Sequence, residues 1–219
     1  MKNSIFREFV SDKYNLLLAG EIFLIVLYPL AEAIETSFPV IDAMFLAVVI
    51  PGLWAVIPSR AFLYPLLLAM ISFGLHILVS LGFFWGSIEQ YVEILRLILS
   101  ITFCSIIIVC LIRNVSLHQT ITADIVKGGI SVYFLMAVLW AIIYQLVLIF
   151  TPNAFVNMDN EITDCLYYSF ATLTTLGPGD ITPVSTWAKF LAILETFIGQ
   201  VYLATFIARL VALSIIRKQ

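Results

Sequence analysis

The sequence predicts an all-α membrane protein: six transmembrane helices, with a short re-entrant helix and a glycine loop between the fifth and the sixth. Three observations lead there. Hydrophobic residues make up 62% of the 219 residues and charged residues 11%, a balance that excludes an ordinary soluble domain. Apolar runs of about twenty residues recur along the chain, which is what a hydrocarbon core of ~30 Å requires at ~1.5 Å rise per residue. Basic and acidic residues segregate into alternate connections, as they do at the ends of membrane spans.

The first span is Tyr14–Ala33. Lys2, Arg7 and Lys13 precede it, but the run is too long for a signal-peptide core and lacks a small-residue cleavage site, so it reads as a retained helix. Spans two and three, Ile41–Ile57 and Ala61–Phe84, are joined by Pro58-Ser59-Arg60, a link so short that they should be antiparallel neighbours. The fourth span, Tyr91–Ile112, contains Arg96 as its one basic residue; a voltage sensor needs several. Between it and the fifth span, Leu117, Ile121 and Ile125 recur every four residues, the spacing of a short amphipathic helix at the inner surface. Gly129–Phe150 is the fifth span and Thr186–Ile216 the sixth. Asp164–Thr175 lies between them and is too short to cross, so it predicts the re-entrant helix, and non-helical backbone after it requires a cavity or protein around it. Two regions result: a four-span part with an amphipathic linker over 1–128, without a charged voltage sensor, and a second domain over 129–219.

Charge orients the chain. Lys2, Arg7, Lys13, Arg60, Arg113, Lys127, Arg217 and Lys218 fall on one side of the six-span arrangement, and Glu35, Asp42, Glu89, Glu93, Asp159, Glu161 and Asp164 on the other; Lys189 is the exception. The positive side is cytoplasmic, so both termini are expected inside an integral membrane protein, placed in a bacterial inner (plasma) membrane. No basic cluster points to nucleic acid. Cys104 and Cys110 share one span and Cys165 stands alone, which gives neither a disulfide framework nor zinc-site spacing. No cofactor and no soluble regulatory domain are expected.

The stretch carrying chemistry is Tyr167 to Asp180, YYSFATLTTLGPGD. Thr172, Thr174 and Thr175 lead into Leu176-Gly177-Pro178-Gly179-Asp180, and alternate glycines allow positive φ at Gly177 and Gly179. Backbone of alternating hand turns successive carbonyls to one side. This stretch resembles the pore helix and selectivity filter of the potassium-channel superfamily, which usually ends TVGYGD. The threonines, both glycines and the aspartate are kept; Pro178 replaces the family's tyrosine. Ile181-Thr182-Pro183, Trp187 and AKFLAILETFIGQVYLATFIARLV are similar to the family's inner helix, with Gly199 where a hinge glycine is common.

The resemblance implies a cation channel subunit without enzymatic activity. Carbonyls of Thr175, Leu176, Gly177, Pro178 and Gly179, with the Thr175 hydroxyl, would bind dehydrated K+ (or Na+). One filter segment per chain implies a homotetramer surrounded by membrane lipid. Tyr167 stands where the family carries a tryptophan that bonds the aspartate after the filter, so Tyr167 and Asp180 are expected to pair. Glu195, a carboxyl inside a span, is expected behind the filter, either replacing an acid that some members carry at the position of Ala171 or as a protonated packing group. Pro178 fixes φ near −65°, which the alternating geometry accepts, but it removes the tyrosine that braces the filter. Potassium preference and non-selective sodium and potassium conduction therefore both stay open. Glu21, His76 and Arg96 are intramembrane polar residues, with structural bonding and a proton path as the two readings. Gly177–Asp180 also matches the GxGD signature of intramembrane aspartyl proteases, which requires a second aspartate; Asp124 and Asp42 are the candidates.

Overall fold

The computed structural model describes residues 14–32, 63–118, 120–158, 162–177 and 179–216. Six helices run through them in chain order: α1 (Asn15–Glu32), α2 (Leu63–Ser80), α3 (Ser87–Leu117), α4 (Ala123–Phe150), α5 (Ile162–Leu173) and α6 (Thr186–Ile216). Of these, α2, α3, α4 and α6 are each long and apolar enough to cross a membrane. α3 and α6 have 31 residues each, about 46 Å of helix, so they outrun the hydrocarbon core. The expected span Ile41–Ile57 and the Pro58-Ser59-Arg60 link lie outside the described residues.

The expected amphipathic helix around Leu117, Ile121 and Ile125 does not form as a separate element. α3 continues past the apolar run to Leu117 and ends at His118 in extended backbone. α4 starts at Ala123, where the Thr122 hydroxyl accepts the Ile125 N–H at 3.3 Å and Asp124 sits in the first turn. A side-chain cap and an acid at the positive helix end favour starting the helix there. A second departure from a purely α chain is a two-stranded antiparallel clip, β1 (Phe155–Val156) with β2 (Thr182–Pro183), in register Phe155↔Pro183 and Val156↔Thr182.

The chain divides into two compact units, Met1–Val132 and Tyr133–Gln219, parting a few residues after the 128/129 boundary read from the sequence. In the first, α2 and α3 form a hairpin. α2 closes with Gly82 at φ 69°, the Gly82 N–H bonding Val79 and the Phe83 N–H bonding Leu78. That is a Schellman end, with glycine at its left-handed position. Ser72 Oγ lies 2.7 Å from Ser100 Oγ, joining the two helices in their polar seam. The start of α1 is tied to α4, since the Tyr14 N–H donates to Asp124 Oδ1 at 2.9 Å and the Tyr14 ring lies against Gly128. In the second unit the core is aromatic: Tyr144, Phe155 and Tyr168 meet edge to face with ring centroids 5.1–5.4 Å apart, and Trp140, Leu148, Ile181 and Ala188 close around them.

Candidate functional site

α5 is built to be held on one side. Cys165, Tyr168, Ser169 and Leu173 are buried, spaced three and four apart as one helical stripe requires. Asp164 lies in its first turn. Its far end is a second Schellman motif: the Thr175 N–H bonds the Thr172 carbonyl at 3.0 Å and the Leu176 N–H bonds the Ala171 carbonyl at 2.8 Å. Here the left-handed position is filled by Thr175, at φ 60°, where the end of α2 uses glycine. A β-branched residue at positive φ is a genuine outlier, and such backbone costs on the order of 1–3 kcal/mol.

From that cap the backbone alternates in hand. Thr175 (φ 60°), Gly177 (φ 53°) and Gly179 (φ 84°) are left-handed, and Leu176 between them is not. Pro178 lies outside the described residues. The N–H groups of Thr174, Thr175, Leu176 and Gly177 all fold back onto carbonyls of Phe170, Ala171 and Thr172. Among the described residues, the carbonyls of Thr174, Thr175, Leu176 and Gly177 accept no hydrogen bond. Donors are engaged and acceptors are left open, in a segment where Leu176 is 71% exposed. Exposed carbonyls without a protein donor are open to water or to a ligand.

Beyond the loop, Asp180 is fixed from three sides. Its Oδ1 accepts the Ile181 N–H at 2.9 Å, its carbonyl accepts the Asn157 side-chain amide at 3.0 Å, and its carboxylate neighbours the Tyr167 phenol. That carboxylate, as acceptor and as charge, holds the Tyr167 phenol above its ordinary pKa. Asn157 reaches Asp180 from the end of β1, itself at φ 56°. The β1–β2 clip and the bonds of the Val184 and Ser185 N–H groups to the Ala154 carbonyl then lead into α6, which Ser185 caps through the Ala188 N–H at 3.1 Å.

Behind α5, α6 makes contact one helical turn at a time. Glu195 is fully buried; its Oε1 is 2.5 Å from Ser169 Oγ and its Oε2 accepts the Tyr144 phenol at 2.5 Å. One turn on, Gly199 faces the last residue of α5: a Cβ there would lie 2.6 Å from Leu173 Cδ1. The Tyr133 phenol of α4 donates to the Leu173 carbonyl at 2.7 Å. α6 runs through Gly199 unbroken, so in this conformation the glycine makes a notch for Leu173.

The structure thus brings Tyr167 to Asp180 and Glu195 to the back of α5, two placements read from the sequence. It adds Ser169, Tyr144, Tyr133 and Asn157, which sequence reasoning missed. Each is a common residue type in an apolar or loop context with no local pattern; only the partner's position gives it meaning. Arg96 forms a bidentate pair with Glu93, 2.6 Å and 2.9 Å, within α3. Glu21 is fully buried in α1 with Ser131 of α4 as its polar neighbour, at a separation looser than a formed hydrogen bond. His76 is half-buried on α2. Asp124 is engaged with the Tyr14 backbone, and Asp42 lies outside the described residues.

A family model described as "Ion channel" matches residues 95–214, more than half of the chain and all of the site above. No curated protein and no solved structure matches.

Proposed function

The chain belongs to the ion-channel family, and from that premise we propose that it is the subunit of a homotetrameric cation channel that prefers potassium, with α5 as the re-entrant pore helix and 175–179 as the selectivity filter. The observation that carries this is the alternating backbone after α5, with its N–H groups folded inward and its carbonyls unengaged. Four copies around an axis would stack rings of oxygens from Thr175, Leu176, Gly177 and Pro178 that replace a cation's hydration shell. The negative C-terminal end of α5 adds favourable potential for a cation, and Asp180 sets the outer mouth. Channels conduct passively, so no catalytic dyad is involved, and the engagement of Asp124 with Tyr14 argues against the protease alternative.

Pro178 favours a second reading. Without the family's aromatic brace the outer filter can be wider, and sodium would then pass nearly as well as potassium. Selectivity follows from the number and field strength of the carbonyls as well as from cavity size, and Thr175, Gly177 and Gly179 keep the alternation that presents them. Flux of potassium, sodium and caesium through the purified protein in liposomes tests both. Potassium flux well above sodium supports the filter, and bi-ionic reversal potentials near zero support the non-selective pore. Absence of any cation flux from a folded, inserted protein overturns both.

A further inference from the structure

The hydroxyl of Ser169 has one proton and two close acceptors. Its Oγ lies 2.7 Å from the Ala137 carbonyl and 2.5 Å from Glu195 Oε1. Were Glu195 ionised, the single proton would serve one of these contacts. The other would be two oxygens at hydrogen-bond distance with nothing between them. A serine hydroxyl can also accept, whereas an ionised carboxylate can only accept. All contacts are satisfied at once when the proton is on Oε1. Then Oε1–H donates to Ser169 Oγ, Ser169 donates to the Ala137 carbonyl, and the Tyr144 phenol donates to Oε2. The surroundings agree. Glu195 and Ser169 are fully buried. The ionisable groups facing Glu195 are phenols, Tyr133 and Tyr144 from α4 and Tyr168 from α5. Among the described residues no lysine, arginine or histidine pairs with it. A buried charge without a counter-ion is costly; a neutral acid with both oxygens bonded is not.

We propose that Glu195 is held as a neutral carboxylic acid whose Oε1–H donates to Ser169, and that this proton fixes the register of α5 on α6. It is a positioning residue. Ser169 and Leu173 are one turn apart on α5, as Glu195 and Gly199 are on α6, so the acid and the Gly199 notch grip successive turns of the same short helix. Four residues beyond Ser169, Leu173 ends α5, two residues before Thr175. The consequence for conduction rests on reading 175–179 as the filter; the protonation state does not.

The test is infrared spectroscopy of the full-length protein in lipid vesicles at neutral pH. Wild type minus Glu195→Gln should show the carbonyl band of a protonated carboxylic acid, lost in the variant. Tyr144→Phe, which removes the donor to Oε2, should shift that band to higher wavenumber, and this second comparison stands if Glu195→Gln does not assemble. Carboxylate bands in the difference spectrum, or no acid band in either comparison, would overturn the proposal. Potassium flux tests the register: glutamine keeps a donor and an acceptor and should retain flux, whereas Glu195→Ala should lose it. Equal flux in both variants would overturn the positioning role. A wild type that shows the band but passes no cation supports the protonation state and overturns the filter.

Discussion

Thr175 is the residue where the structure departs furthest from local preference. The two Schellman ends differ only in this: α2 closes on Gly82 and α5 on Thr175, at similar φ. Glycine would relieve the strain at Thr175, and backbone held in such conformations clusters at functional sites. Thr175→Gly is expected to be at least as stable as wild type in potassium-free buffer, because the left-handed backbone is free of Cβ strain. It is also expected to gain less on adding potassium, since a ligand stabilises the state that binds it and one oxygen per chain is gone. Thermal unfolding of the purified protein at several potassium concentrations reads both. Equal potassium-dependent shifts would remove the hydroxyl from the ion site. At the outer end, Tyr167→Phe and Asp180→Asn should not be additive in their effect on conductance or its inactivation, because the first removes the phenol and the second the charge of one and the same contact. The phenol's raised pKa means its proton is held more tightly in the folded state. This contribution is present below the ordinary tyrosine value of about 10 and is lost as pH rises through the higher folded value. The alternating glycines were legible from residue type and spacing, and the Tyr167–Asp180 pair was implied by the resemblance to the potassium-channel superfamily. The handedness of Thr175 was not, because threonine resists positive φ and nothing in its neighbours signals the exception.

At the scale of elements, α5 is held by partners that come from distant sequence: Ser169 with Glu195, Leu173 with Gly199 and Tyr133, Phe155 with Tyr168. The long helices were legible in hydropathy because an apolar run of that length has few alternatives. Their ends were not, since α3 continues through Arg113 and Asn114 to Leu117 and the next helix starts only where Thr122 and Asp124 favour it. The β1–β2 clip was invisible too, as two residues per strand carry no period. Gly199 separates two accounts of the inner helix. If it is a hinge, Gly199→Ala stiffens α6 and no change in α5 repairs it. If it is a notch, the added methyl meets Leu173, which is fully buried, and overpacking of this kind costs about 1–3 kcal/mol. The notch predicts that Gly199→Ala lowers thermal stability and flux, and that with Leu173→Ala in the same chain the combined loss is smaller than the sum of the two single losses. Measuring flux and unfolding for the single and double variants decides it; additive losses would favour the hinge.

For the whole molecule, one glycine loop per chain means that a closed ring of carbonyls needs other copies. The protein in mild detergent or lipid should therefore have the mass of a tetramer, and a stable monomer or dimer as the sole species would end the pore proposal. Membrane crossing was legible from composition alone. Assembly is inferred from what a single chain lacks, and the exposed apolar side chains along α6, among them Phe190, Phe197 and Val201, suit either lipid or a neighbouring copy. Response to voltage follows from charge. A gating charge that crosses the membrane field contributes ~2.3 kcal/mol per 100 mV, so steep gating needs several unpaired charges moving together. α3 carries Arg96 bonded on two nitrogens to Glu93, and a pair that moves as one body transfers no net charge. Open probability in planar bilayers should therefore change only shallowly with voltage. Breaking the pair with Glu93→Gln should steepen it by at most one charge per chain, because Arg96 is the one basic residue of Tyr91–Ile112. A wild-type curve as steep as several charges per subunit would show that some other element senses the field and would overturn the assignment of α3 as a voltage-insensitive helix.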